Sequence, residues 1–295
     1  MSKLSEALAL NNFAVVAELT PPKGISVAAM LAPVASLKGK VQAFSVPDNE
    51  HARMRLSALA CCRLVQEAGG EALLHLACRD KNRLALESEL LGAAALGIEN
   101  LLLVSGDYVT LGDHPDAKPV YDADSVQLLQ IAGGLMAGRD STGQALDGSP
   151  SFFLGAVVIP EAEPWGPQLV KFEKKLAAGA QFFITPPVFD LEKLKSFRQQ
   201  TTASAAKLLA AVKVLSPEEA AQAKTGEWRK VYAIPPDLLA RFEGKDGNDF
   251  FQAGAELAGN LVGRIKDEKL ADGIYLKAEG RPDLLGKILE VAGMC

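Results

Sequence analysis

Two carboxylates stand where apolar segments break off. Glu18 lies near the end of "FAVVAEL" (13–19), and Asp107 directly follows "NLLLVSG" (100–106). A carboxyl group so placed can hand over a proton or stabilise a developing positive charge. Glu18 can equally be a solvated carboxylate at a strand end, and Asp107 half of a Gly-Asp turn. His75, inside "ALLHLAC" (72–78), reads either as a core histidine or as a ligand contact. Gly106 has no Cβ and lets the backbone come close to a flat ligand. Lys213 and Lys277, both in late apolar runs, could carry the Schiff base of a lyase. "KFEKK" (171–175), by composition, is a solvated helix face. No G-x-G-x-x-G, P-loop or HExxH occurs, so the common nucleotide and zinc signatures are missing.

The elements that must position these residues are legible as apolar runs. "VQAFSV" (41–46), "FFLGAVVI" (152–159), "QFFIT" (181–185), "KLLAAVKV" (207–214) and "GIYLKA" (273–278) join the three already quoted. Most are continuously apolar, which suits strands buried on both faces of a parallel sheet. Helical spacing falls between them at 52–70, 83–98, 167–180, 249–267 and 282–293. A strand-then-helix repeat of this length predicts a single (β/α)8 TIM barrel over 1–295, with an open doubly wound sheet as the other arrangement. A barrel keeps its chemistry at the carboxyl ends of its strands. There the sequence places Glu18 before a stiff Pro21-Pro22, Ser45 before Asp48-Asn49, Ser105-Gly106-Asp107, Pro160-Glu161 and Thr185-Pro186-Pro187. Irregular segments at 107–124 and 138–151 are long enough to fold over a ligand.

Composition narrows the partners. The 295 residues are 48% hydrophobic and 23% charged, as in an ordinary globular protein. A net charge of −5 argues against nucleic acid and against an anionic membrane. Cys61, Cys62, Cys78 and Cys295 form no C-x-x-C pair and no zinc pattern, and free thiols fit a reducing compartment. The start, "MSKLSEALALNNF", lacks the apolar core of a signal peptide, and no run reaches the ~20 residues of a membrane span. The expectation is a soluble cytoplasmic protein.

"ELTPPKG", "HLACRDKN", "LGIENLLLVSGD", "GDHPDAKPVYDADSVQLL" and "KKLAAGAQFFITPPVFD" together resemble the methylenetetrahydrofolate reductase family, in order over about the first two thirds of the chain. "GDHP…KPVYDADS" looks most like the short catalytic subunit of acetogens and their relatives, which works beside an iron–sulfur subunit. The last third, with "VYAIPPDLLARF" and "DGIYLKAEGRPDLLGKIL", is a looser match.

The resemblance implies a barrel that holds a flavin, FAD or alternatively FMN, at the carboxyl ends of its strands. It implies reduction of 5,10-methylenetetrahydrofolate to 5-methyltetrahydrofolate, with Glu18 protonating N10 and Asp107 lying between flavin and pterin. His75, Ser105, Gly106, Tyr121, Asp122, Lys174 and Lys175 fall where the family contacts its flavin. Ser45 falls where a hydroxyl faces the flavin ring, with Asp48 and Asn49 beyond it. Ser105 replaces an Arg found in some members. Pro186 replaces the Gln of a Thr-Gln pair that touches folate and reductant, and Arg281 is the nearest counterpart of the substrate-binding Arg. Implied partners are the folate and an iron–sulfur subunit as electron donor, and the sequence leaves a homo-oligomer open. A flavin-binding subunit with an altered substrate or an electron-transfer role is the alternative.

Overall fold

The computed structural model describes residues 1–201, 204–225, 234–278 and 280–294. Eight parallel strands close into a barrel in chain order: β1 (Ala14–Glu18), β2 (Ala43–Val46), β3 (Ala72–Ala77), β4 (Asn100–Val104), β5 (Phe153–Val157), β6 (Phe182–Pro187), β7 (Lys207–Lys213) and β8 (Gly273–Lys277), which pairs back onto β1. Seven lie inside the apolar runs marked in the sequence, and β6 continues two residues beyond its expected end at Thr185. The reason is a bulge. Ile184 pairs with Leu209 and Pro187 with Ala211, so β6 carries one extra residue. Thr185 Oγ1 accepts the Ala211 N–H at 2.9 Å in place of a backbone carbonyl. Pro186, which has no N–H, sits in the bulge, where no ladder bond is lost.

The side chains separate into two layers. One cluster fills the space between strands and helices. A second fills the barrel interior with Val16, Ala43, Leu73, Leu102, Phe182, Leu209 and Tyr275. Phe182 stacks on Phe153 with centroids 4.8 Å apart, and a Cβ on Gly155 would stand 2.2 Å from the Phe182 ring. Helix Lys3–Ala9 sets Leu4 and Leu8 into the same cluster. Ser2 donates to Asn100 at the start of β4, and Glu71, just before β3, accepts the N–H groups of Lys3 and Leu4. This seals the amino end of the barrel.

Helices Arg83–Ala95, Trp165–Ala177, Gly247–Asp267 and Leu284–Val291 match the helical spacing. Helices Ala28–Ser36, Ser125–Met136, Leu191–Gln200 and Pro217–Thr225 were not marked by it. The first of these contains Pro33, a residue that ordinarily argues against a helix interior. The helix expected over 52–70 is shorter, Ala58–Glu67, capped by Ser57. Its first turns are replaced by a loop in which Asn49, His51 and Ala52 take φ of 47°, 57° and 55°. Those left-handed values are incompatible with a right-handed helix. Cys61, Cys62 and Cys78 are buried and unbridged, while Cys295 and the first residues of "VYAIPPDLLARF" lie outside the described residues. Among the described residues no helix is long and apolar enough to cross a membrane.

Candidate active site

Side chains alternate along a strand, so residues two apart share a face. Val16, Ala43, Leu73 and Tyr275 face the interior, and the next inward positions toward the carboxyl end are Glu18, Ser45, His75 and Lys277. These four strands are neighbours around the barrel. Tyr275 donates its hydroxyl to Glu18 Oε2 at 2.6 Å and stands 3.1 Å from Ser45 Oγ. Ser45 Oγ lies 2.7 Å from His75 Nε2. Lys277 Nζ reaches Glu18 Oε2 at 2.9 Å and also binds Glu50, from the loop after β2.

Burial decides the charge states here. Glu18, its side chain 2% exposed, has its pKa raised by loss of water and by the nearby Glu50 carboxylate, against the pull of Lys277 and Tyr275. Burial also pushes His75 down to about 3, so the imidazole is neutral. At Glu50 burial works upward, but the Lys277 ammonium outweighs it and the group falls to about 2. Lys277 is held well above its ordinary value because the two carboxylates outweigh its desolvation. A Schiff-base lysine has to be neutral to attack a carbonyl. Lys277 is held charged, and Lys213 is ion-paired to Glu219 at 2.7 Å, so neither is set up as the lyase nucleophile.

The β4 end is built differently. Gly106 adopts φ +89°, and a Cβ there would stand 2.9 Å from Arg79 Cβ. The glycine is therefore required by its own backbone and by the buried Arg79 beneath it. Arg79 pairs with Asp80 and donates to the Asp107 and Asn49 carbonyls. The Asp107 side chain is 50% exposed. Its Oδ2 accepts the His51 N–H at 3.0 Å, and His51, chiefly through its side chain, lowers the pKa of the carboxyl. Tyr121 donates to the Asp107 carbonyl at 2.9 Å. The segment after Asp107 lies over the β2 loop, where Asp113 holds Lys23, the Met54 N–H and His114.

The other expected residues take varied places. Ser105 Oγ accepts the Ser125 N–H at the start of helix Ser125–Met136. Asp122 binds Arg83. Asp48 is buried under the Ala77 N–H and Lys81, and Asn49 accepts the Arg55 N–H. Lys175 donates to the Val157 carbonyl at the end of β5 at 2.6 Å, and burial together with Lys171 lowers it to about 8. Lys174 is exposed on the same helix. Arg281 is held by Asp283 over the Phe251 ring, away from the Glu18 cluster's hydrogen bonds. Glu18, Ser45 and His75 thus meet in one network, and Asp107, Gly106 and Tyr121 in another.

The methylenetetrahydrofolate reductase family model matches residues 3–293. The chain belongs to that family. It is a family of oxidoreductases, and the chain is an enzyme of that class. A 5,10-methylenetetrahydrofolate reductase from Pectobacterium carotovorum subsp. carotovorum is 26% identical over 242 residues, covering 81% of this chain and 75% of that protein. Among solved structures, a Clostridium thermocellum protein that binds two copies of 5-methyl-5,6,7,8-tetrahydrofolic acid aligns with a TM-score of 0.61 at 12% identity, over 99% of this chain and 98% of that one. Tryptophan synthase from M. tuberculosis aligns with a TM-score of 0.52 at 16% identity, over 100% and 98%. At such identities the structural likeness speaks for the barrel fold alone.

Sequence reasoning missed Tyr275, Glu50 and His51, and considered Lys277 only as a nucleophile. One signal was available. Tyr275 and Lys277 are two apart on an otherwise apolar strand, so both polar ends point into the barrel. No such signal marks Glu50 or His51, which sit in an irregular loop.

Proposed function

We propose that this chain reduces 5,10-methylenetetrahydrofolate to 5-methyltetrahydrofolate with a bound flavin, and that Glu18 supplies the proton. The observation that carries this is the buried Glu18 carboxyl at the end of β1 with its pKa raised. The reaction opens a five-membered ring and needs a proton at N10, and a carboxyl whose pKa is raised keeps its proton to higher pH than a free one and is suited to give it. Tyr275 and Lys277 both meet Oε2, so Oε1 is the oxygen from which the proton is given. Asp107, ionised and half-exposed at the mouth, is suited to stabilise the cationic iminium that ring opening leaves on the folate.

The donor set fits a flavin. Ser45 and neutral His75 offer polar contacts on one wall, and the Asp107 carboxylate stands on another. Lys175 is an ammonium of lowered pKa bonded to a carbonyl beside another lysine, a cation suited to an anionic phosphate. A bound flavin would supply the two-electron chemistry that no side chain here provides. Heat release of the cofactor followed by chromatography tests this. FAD, or FMN, at about one per chain is expected, and a colourless protein without releasable flavin would remove the flavin from the proposal.

Pro186 favours electron delivery by a partner. It has no side-chain amide or N–H with which to hold a nicotinamide. We infer that an iron–sulfur protein reduces this subunit, as in the acetogen-type enzymes its sequence resembles. Slow anaerobic bleaching by NADH and NADPH but fast bleaching by a low-potential dye is expected. Fast, saturable bleaching by either nicotinamide would overturn the inference.

A further inference from the structure

Glu18 faces one cation and one rival. From β8 come Tyr275 and Lys277, from β2 Ser45, from β3 His75, and from the loop after β2 Glu50, with His51 next to it. Lys213, paired in register with Lys277 on β7, is engaged with Glu219. His75 is neutral and Tyr275 keeps its proton, so the charges that meet Glu18 directly are those of Glu50 and Lys277, while His51 adds a further pull on Glu50.

A single buried ammonium balances a single buried carboxylate, and ionising both acids leaves an excess negative charge away from water. The two carboxyls are not equally placed. Glu18 is 2% exposed and Glu50 27%, so the desolvation cost of ionisation falls more heavily on Glu18. Glu50 is the carboxyl that takes the cation.

We propose that Glu50 is a positioning residue for the acid step: by engaging Lys277 from the loop side, it leaves Glu18 as the carboxyl that holds the transferable proton. The inference rests on the reading of Glu18 as proton donor. It gives the β2 loop a function that its backbone otherwise lacks. Asn49 and His51, either side of Glu50, are both left-handed, a conformation that costs energy for residues other than glycine and directs the loop inward.

The test compares Glu50→Gln with Lys277→Met in the flavin-loaded enzyme. An acid works only while protonated, so the folate reaction fades as pH rises through the pKa of Glu18. In Glu50→Gln, Lys277 is left to Glu18 alone, which ionises more easily. The alkaline limb of kcat/KM should move to lower pH by about 1–3 units. Lys277→Met removes the cation and should move it to higher pH. Loss of packing alone would lower the rate without opposite shifts. Glu50→Asp keeps the charge and should return the limb toward wild type, which carries the test if Lys277→Met does not fold.

Infrared difference titration of the Glu18 carboxyl band, assigned by its loss in Glu18→Gln, reads the same equilibrium without turnover. A band titrating lower in Glu50→Gln supports the proposal. If that happens while Glu18→Gln keeps its turnover, the acid assignment fails and the Glu50 effect stands. A band and a pH limb both unmoved in Glu50→Gln overturn the proposal, whatever Glu18→Gln does.

Discussion

On the wall of the barrel mouth built by β8, β1, β2 and β3, Glu18, Tyr275, Lys277, Ser45 and His75 are buried and bonded to one another. On the wall built by β4, β5 and β6, Asp107 is half-exposed, Lys175 rests on a carbonyl, and Pro186 offers no donor. The first wall satisfies its polar groups within the protein. On the second, Asp107 is held by His51 and Lys175 by a carbonyl oxygen, and the Asp107 side chain keeps half its surface open. Catalysis gains most from groups that need not reorganise, whereas binding gains from groups a ligand completes. On the proposed reading the proton comes from the first wall, while Ser45 and His75 on one side and Asp107 and Lys175 on the other meet the ligands.

The largest effect expected is on the first wall. Glu18→Gln should retain flavin and remain reducible, yet lose folate turnover by about 10²–10⁴-fold, the usual contribution of a positioned acid. Turnover within a few fold of wild type would erase the distinction between the walls. On the second wall, Lys175→Gln should weaken flavin binding roughly 10–100-fold, as for a hydrogen bond to a charged group, and spare the rate of the loaded enzyme. Because Lys175 loses its proton above about 8, flavin affinity should also fall as pH rises through that value. Lys174→Gln, at an exposed position, should fall short of this and serves as the internal control.

A subtler effect belongs to Asp107. Reduction adds negative charge to a flavin, so a carboxylate nearby opposes it. Asp107→Asn should raise the flavin potential, measured by dye equilibration, and an unchanged or lower potential would return Asp107 to a purely structural turn. A further effect falls on stability rather than on function. His75 is depressed to about 3 in the fold, below its unfolded value, so the unfolded chain takes up a proton first as pH falls. The stability due to neutral His75 is complete above about pH 6.5 and drains away toward its folded pKa, by about 1.4 kcal/mol per unit. Glu18, with its raised pKa, works in the opposite sense: its share is present below the ordinary glutamate pKa and is lost as pH rises through its folded value. Urea unfolding of wild type and His75→Gln isolates the His75 share. Parallel pH dependences would mean that His75 is not buried as a neutral ring.

The two walls also differ in how far the sequence revealed them. All eight strands were visible because a parallel barrel buries both faces and leaves near-continuous apolar runs. Glu18 stood out because it breaks such a run, and Asp107 because it follows one. Helix Ala28–Ser36 was hidden by Pro33, and the start of helix Ala58–Glu67 by a left-handed loop that no spacing rule encodes. The partners of Glu18 were hidden for another reason. Tyr275 is 257 residues away in sequence, and Glu50 lies 227 residues from Lys277, so only closure of β8 onto β1 brings them together. Local pattern fixes where a charged side chain starts, whereas its charge state depends on neighbours supplied by topology.

The central claim is that this barrel passes reducing equivalents to a methylene-folate with Glu18 as the proton source. Anaerobic mixing of the photoreduced, flavin-loaded protein with 5,10-methylenetetrahydrofolate tests it in a single turnover. The account predicts flavin reoxidation matched one for one by 5-methyltetrahydrofolate, in wild type but not in Glu18→Gln. A reduced flavin that persists in wild type at saturating folate, with no methyl product, would contradict it.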